Sequence, residues 1–189
     1  MPKSLAIRQL LDCSEPEFWS RIFRSEDFNR FLYDGLGFEY ELLEWNVKSG
    51  YRKARVWPRH QMPGPLMKVF GERFNYTEEG AFDPVAERYR FRVIPSAIPD
   101  RISAIGSIAV EAISETQCER KVSFEITADV LGVGRVIESY LVSTTREQYA
   151  KNAALVNEYL AGFRSRPAGR PPLRGSLAAR MTRPSLRSM

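Results

Sequence analysis

"GVGRVIESYLVSTTREQYAKNAALVNEYLAGF" (132–163) is the longest stretch of the chain whose pattern predicts a helix. At about 100° per residue, one face of this helix is mainly apolar. That face carries Val142, Thr145, Tyr149, Ala153, Val156, Leu160 and Phe163. Glu138 and Asn152 fall on it too, which is unusual for a face that packs on a core. The pattern indicates either that the helix covers a wetter space than an ordinary core or that these two groups have buried partners.

The composition predicts one folded domain followed by a basic tail. A chain of 189 residues that is 43% hydrophobic can bury a substantial core. The segment 164–189 contains seven arginines and no acid, whereas residues 1–163 have a formal net charge of about −2. The high isoelectric point therefore comes from the tail, and a nucleic-acid partner is not expected for the body.

The tail itself is predicted to be disordered, because it combines arginine and proline with few large apolar groups. Three roles remain open for it: a solubilising extension, electrostatic attachment to an anionic membrane surface, and weakly specific binding of nucleic acid.

The sequence shows no sign of classical catalysis or of a cofactor. His60 is the one histidine, and Cys13 and Cys118 are far apart, so no metal-ligand spacing is present. Two isolated thiols fit a reducing cytoplasm and are interpreted as buried and free. No run approaches the roughly 20 apolar residues of a membrane span. The sequence does not predict an oligomeric state.

The chain before the long helix predicts a strand, two short helices and then a β-rich region. The strand is "KSLAIRQLLDC" (3–13), and Ser14 and Ser25 are placed as N-caps of two consecutive helices. The strands predicted after them are "FEYELLEWNV", "YRKARVW", "KVFGERFNYT", "ERYRFRVI", "ISAIGSIAVEAI" and "KVSFEITADV". Several alternate apolar and polar residues with a period of two, which is typical of antiparallel sheet with one buried face.

These elements predict an α+β fold in which a curved antiparallel sheet of about seven strands wraps around the C-terminal helix. The expected domain is 1–163, and the expected tail is 164–189.

Four segments resemble a known superfamily. They are "FRSEDFNRFL" (23–32), "EWNVKSGYRKARVWPRHQMPGP" (44–65), "FGERF" (70–74) and "GVGRVIES" (132–139). With the order of elements, they resemble the START-like (SRPBCC, helix-grip) superfamily over roughly residues 4–163. The closest resemblance is to the sterol-binding VASt (StAR-related lipid transfer) domains and to bacterial START-like domains of unknown function.

The resemblance implies a cavity of roughly 300–1,000 Å³ for a hydrophobic ligand between the sheet and the long helix. Its expected lining includes Val142, Thr145, Tyr149 and Asn152 from the helix and Tyr89, Phe91, Ala104, Gly106 and Ile108 from the strands. Glu138 is expected to pair with an arginine such as Arg55 or Arg73, to contact the ligand, or to act in acid–base chemistry.

Two further features leave alternatives open. The space over Ala104 and Gly106 is either part of the cavity or filled by an aromatic side chain such as Trp45 or Tyr89. The loops that carry Ile98, Met62 and Met67 either present apolar tips that form an entrance or hold ordinary surface residues.

The expected function is soluble binding, transfer or sensing of a lipid-like molecule, with sterol or isoprenoid favoured by the resemblance. The alternatives are an enzyme of the polyketide cyclase/aromatase type and an interaction module without a ligand. Expected partners are a hydrophobic small molecule and an anionic membrane surface, with a cytoplasmic location that is peripheral to the membrane if the tail attaches.

Overall fold

The computed structural model describes residues 2–59 and 62–165 of the chain. The strands are β1 (Lys3–Leu11), β2 (Phe38–Asn46), β3 (Tyr51–Pro58), β4 (Tyr76–Asp83), β5 (Arg88–Pro95), β6 (Ile102–Ala112) and β7 (Cys118–Ala128). The α-helices are α1 (Glu15–Glu17), α2 (Glu26–Gly35), α3 (Gly64–Phe70) and α4 (Gly134–Arg164). A π-helical segment, Phe18–Phe23, continues α1, and a 3₁₀ turn, Pro99–Arg101, precedes β6.

The seven strands form one antiparallel sheet in the order β1-β7-β6-β5-β4-β3-β2. The long helix α4 packs against β1, β7 and α2. This arrangement confirms the predicted α+β fold, including the helix held by a curved sheet. It also places the first and second strands at opposite edges of the sheet.

Local sequence explains where the early helices begin. The side chain of Ser14 accepts a hydrogen bond from the amide of Glu17 at 3.3 Å. The side chain of Ser25 accepts one from the amide of Phe28 at 3.1 Å. Both serines therefore satisfy otherwise free N-terminal amides, as their N-cap positions predict.

The predicted strand "KVFGERFNYT" (68–77) is wrong in its first half. Residues Gly64–Phe70 form α3, whose apolar Leu66 and Phe70 lie four positions apart on its buried face. Gly71 ends the helix with a φ of 78°, a left-handed conformation that favours glycine. The strand begins only at Tyr76.

The apolar core has two parts. The larger cluster lies under the C-terminal half of α4, where Val156 and Leu160 are buried against the sheet and the helical segment before α2. The smaller cluster joins Leu66 and Phe70 of α3 to Ile102 and to Ile137 at the start of α4. Phe163, predicted on the buried stripe, is instead 46% exposed.

The end of the chain lies largely outside the described residues. Arg164 is the last residue of α4, one position beyond the predicted boundary, and it donates hydrogen bonds to the Asp12 carbonyl and to Glu17. The predicted disorder and membrane attachment of the basic tail concern residues 166–189, which are not described. Within residues 2–59 and 62–165, no helix has both the length and the apolar character that a bilayer crossing requires.

Candidate functional site

A mainly apolar cavity of about 150 Å³ lies between the N-terminal half of α4, helices α2 and α3, and the concave face of the sheet. The volume is about half the lower bound expected from the sequence. Most of its wall is aliphatic or aromatic: Leu32, Leu36, Phe38, Phe70, Phe74, Val93, Ile102, Phe124, Ile126 and Leu141 contribute to it. The polar part of the wall is small: Glu78, four tyrosines, two threonines, Gln148 and Asn152.

A buried ion pair supports one side of this wall. Arg52 on β3 donates to the Glu78 carboxylate on β4 at 2.6 Å and to the side-chain oxygen of Asn29 at 3.2 Å. Arg52 is 6% exposed. Burial alone would lower the pKa of this guanidinium, but the charge of Glu78 raises it above its usual range. The Arg52 guanidinium therefore stays charged at neutral pH.

Neutral phenols line the cavity beside this ion pair. Burial raises the pKa of Tyr33, Tyr76 and Tyr149, so each keeps its proton at neutral pH. Among the described residues, none of these three hydroxyls has a hydrogen-bond partner within ordinary geometry. The cavity therefore offers several neutral donors at fixed places in an apolar wall.

Four of the residues expected from the sequence do line this cavity: Thr145, Tyr149 and Asn152 on α4 and Ala104 on β6. Tyr149 also packs edge to face against Phe124 on β7, with ring centroids 6.0 Å apart. The helix face and one inward strand position could be found from periodicity alone.

Three strand residues and one helix residue that were expected at the cavity lie in the larger core cluster. Tyr89, Phe91, Ile108 and Val142 pack there, outside the cavity wall. A Cβ atom added at Gly106 would lie 2.5 Å from the Cζ atom of Phe91. The space over Gly106 is thus filled by Phe91, not by Trp45, Tyr89 or a ligand, and Gly106→Phe is expected to disrupt the core.

Glu138 has a partner that the sequence did not indicate. Its carboxylate accepts a hydrogen bond from the backbone amide of Ala128 at 3.0 Å, and the residue is 7% exposed. Neither Arg55 nor Arg73 pairs with it. Glu138 lies outside the cavity wall.

The three loop residues expected at an entrance also lie outside the wall. Ile98 and Met62 are half-buried against the smaller core cluster, so they are not exposed apolar tips. Met67, on α3, is 42% exposed. The loops pack on the start of α4 instead of projecting from it.

Sequence reasoning missed the contribution of α2, α3 and β4 to the cavity. Leu32, Tyr33, Phe70 and Glu78 come from three elements that are distant in sequence, and only the fold brings them together. The spacing of Leu66 and Phe70 fits a helix, but the segment is too short for this spacing to exclude a strand. No pattern in the sequence around Glu78 indicated that this residue lines a cavity.

The two cysteines are buried and free, and their sulfur atoms are 3.8 Å apart. Their mutual hydrogen bond raises the pKa of Cys13 and lowers that of Cys118. Within the described ranges, no group of three or more histidine, cysteine or acidic side chains is placed to hold a metal ion.

Comparison with known sequences gives one family. The family described as "Protein of unknown function (DUF2505)" matches residues 15–160. The curated proteins give no match to this chain.

Comparison with solved structures gives many similar chains, and the three described here are each 14% identical to this chain. The Zhui aromatase/cyclase from Streptomyces sp. R1128 has a TM-score of 0.63 at 14% identity, over 89% of this chain and 99% of that one. Norcoclaurine synthase from Thalictrum flavum, in complex with dopamine and hydroxybenzaldehyde, has a TM-score of 0.61 at 14% identity, over 88% and 90%. A protein of Thermus thermophilus has a TM-score of 0.63 at 14% identity, over 86% and 100%.

These likenesses show that the chain has the helix-grip fold. At such identity they do not assign a ligand or a reaction.

Proposed function

The chain belongs to the DUF2505 family, and from its helix-grip fold and its cavity we propose that it binds a small hydrophobic molecule between the sheet and α4. The observation that carries this proposal is the cavity itself, with its apolar wall and a few polar groups. Such a combination is typical of small-molecule sites, where apolar contacts give affinity and polar groups give orientation.

The volume favours a ligand of about one aromatic ring. An engineered apolar cavity of roughly 150 Å³ stays dry and binds benzene, and the cavity here has about the same volume. A sterol or isoprenoid, which the VASt resemblance favours, is several times larger. Its binding would require α3 or the loop before β6 to move away from α4.

The contacts of the ligand would come from both sides of the cavity. On α4 they are Thr145, Tyr149 and Asn152, and on the sheet Ala104 and Glu78. The apolar rings of Phe70, Phe74 and Phe124 would cover the faces of an aromatic ligand.

The experiment is a calorimetric titration of the full-length protein with toluene. Wild type is expected to bind it, and Thr145→Phe is expected to lose binding because the larger ring occupies the cavity. Thr116→Phe makes the same chemical change in the exposed loop before β7 and should bind as wild type does. Urea unfolding of each variant controls for loss of fold.

Two results would contradict the proposal. If folded wild type does not bind toluene, an interaction module without a ligand is favoured. If folded Thr145→Phe binds toluene as well as wild type does, the ligand does not occupy this cavity. A fluorescent sterol titrated in parallel tests the larger ligand, and mass spectrometry after organic extraction identifies any molecule that is purified with the protein.

An enzyme acting on a bound aromatic substrate is the second candidate. The feature that favours it is an acidic side chain with several phenols in an apolar cavity, since carboxylates and phenols can take part in proton transfer. The similar structures include an aromatase/cyclase and norcoclaurine synthase. Chemical change of an extracted ligand on incubation with the protein would distinguish this candidate from a carrier.

A further inference from the structure

Arg120 on β7 is a buried cation whose hydrogen-bond partners are all neutral. Its guanidinium donates to the side-chain oxygen of Gln9 through two nitrogens, one at 3.0 Å, and to Asn152 Oδ1 at 2.8 Å. The residue is 3% exposed. None of the ion pairs within residues 2–59 and 62–165 includes it.

The two buried arginines, Arg52 and Arg120, differ in whether a carboxylate balances their charge. Arg52 is neutralised by Glu78 at 2.6 Å, whereas burial lowers the pKa of Arg120 to about 10 with no carboxylate to oppose the shift. Arg120 therefore stays protonated at neutral pH, and its charge has no counterpart. The buried Glu138 lies in α4 fourteen residues before Asn152, about 21 Å along the helix axis, and cannot serve as that counterpart.

Arg120 also fixes how Asn152 faces the cavity. A guanidinium only donates hydrogen bonds, so the side-chain oxygen of Asn152 must face it. The amide nitrogen Nδ2 then lies on the other side of the same planar group. Asn152 lines the cavity, and its Nδ2 has no acceptor among the described residues.

Tyr149 is held by the same group of residues. Its ring centroid lies 5.5 Å from Arg120 Cζ, and its backbone carbonyl accepts a hydrogen bond from Gln9 Nε2. Its hydroxyl is a neutral donor without a partner in the described part of the chain. Arg120, Gln9, Asn152 and Tyr149 thus form a connected group that presents two donors near the positive charge of Arg120. Glu78, whose charge also acts on Tyr149, lines the same cavity but is paired with Arg52.

We propose that the cavity selects an aromatic carboxylate, whose oxygens accept hydrogen bonds from Asn152 Nδ2 and the Tyr149 hydroxyl with Arg120 behind them as counter-charge. This inference rests on the proposed function, because it names the class of molecule that occupies the same cavity. A carboxylate supplies both the acceptors that the donors lack and the negative charge that the buried arginine lacks. A ligand amine would add a second unbalanced cation to the interior.

The test compares benzoate with benzamide, which has nearly the same shape but no charge. Calorimetry on the full-length protein at neutral pH should give at least about tenfold tighter binding of benzoate, a difference typical of a charge-assisted hydrogen bond. Asn152→Asp supplies a carboxylate directly to Arg120, so this variant should lose or reverse the preference. Arg120→Gln should also lose it.

Cys118→Ala is the control for a competing source of negative charge. The hydrogen bond from Cys13 and the charge of Arg120 lower the pKa of the Cys118 thiol, so this thiol is the nearby group that could approach the role of counter-ion. The benzoate preference should persist in this variant. Its loss there would overturn the proposal.

The outcomes separate this inference from the proposed function. Toluene bound by wild type with no preference for benzoate over benzamide would overturn the carboxylate inference alone. A full benzoate preference retained by folded Asn152→Asp would also overturn it. Failure of toluene, benzoate and benzamide to bind at all would overturn both proposals.

Discussion

The carboxylate of Glu138, in the first turns of α4, accepts a hydrogen bond from the backbone amide of Ala128, the last residue of β7, at 3.0 Å. The chain reverses between these two residues, and the bond joins the end of the sheet to the start of the helix that the sheet surrounds. A carboxylate on the core-facing stripe is thus explained by a backbone partner.

Loss of the Glu138 acceptor should destabilise the protein. Glu138→Ala leaves the half-buried Ala128 amide without its partner, at a cost of about 1–3 kcal/mol in the free energy of unfolding. Glu138→Gln keeps a side-chain oxygen and should cost less. Urea unfolding measures both, and an equal loss in the two variants would show that charge, not the hydrogen bond, is what matters at this position.

Two glycines on the same helix should respond oppositely to alanine. A Cβ atom at Gly134 would lie 2.3 Å from the carbonyl oxygen of Ala128, so Gly134→Ala should destabilise the protein by about 1–3 kcal/mol. Gly162 has no atom within 4 Å of its Cβ position, and Gly162→Ala should stabilise by about 0.5–1 kcal/mol through helix propensity. Thermal unfolding of the pair checks the prediction, which fails if both variants shift in the same direction.

The buried pair Arg52–Glu78 should be far more sensitive than an exposed pair of similar geometry. Glu78→Leu leaves a buried guanidinium without its counter-charge and is expected to cost about 3–5 kcal/mol. Glu39 accepts from Arg59 at 2.8 Å on the surface, and Glu39→Leu should cost less than about 1 kcal/mol. Comparable losses in urea unfolding would contradict the difference in burial.

Glu79 should contribute stability that depends on pH. Hydrogen bonding by Arg92 lowers the pKa of this carboxyl below its ordinary value of 4.5, with a further contribution from Lys53. Because the pKa is lower in the folded state, the stabilisation is fully present above the ordinary value and is lost as the pH falls through the folded-state pKa. Glu79→Gln should therefore be less stable than wild type by about 0.5–1 kcal/mol at neutral pH.

The difference between wild type and Glu79→Gln should shrink toward zero as the pH falls through the folded-state pKa of Glu79. Urea unfolding at several pH values measures it. A difference that stays constant over this range would assign the effect to packing and not to charge.

The order of strands and helices could largely be predicted from sequence because most strands have one apolar face. The two N-cap serines also marked their helices correctly. The error at α3 arose because seven residues are too short for a helical period to be distinct from a strand pattern, and the turn at Gly71 depends on a backbone conformation.

The cavity was predictable only in part. Thr145, Tyr149 and Asn152 share a helix face, so periodicity identified them. Phe91 fills the space over Gly106 because the two residues are paired across β5 and β6. The sequence of one strand does not determine which residue of its neighbour it pairs with. The neutral environment of Arg120 likewise follows from the pairing of β7 with β1, which brings Gln9 beside it.

That pairing of the first strand with the last has a consequence for synthesis. Leu5 of β1 is paired with Phe124 of β7, about 120 positions later in the chain. At roughly 5–20 residues per second, β1 leaves the ribosome on the order of 6–24 seconds before its hydrogen-bonding partner does. Throughout that interval the nascent chain carries an unpaired apolar strand, and folding is completed only when the C-terminal third has been made.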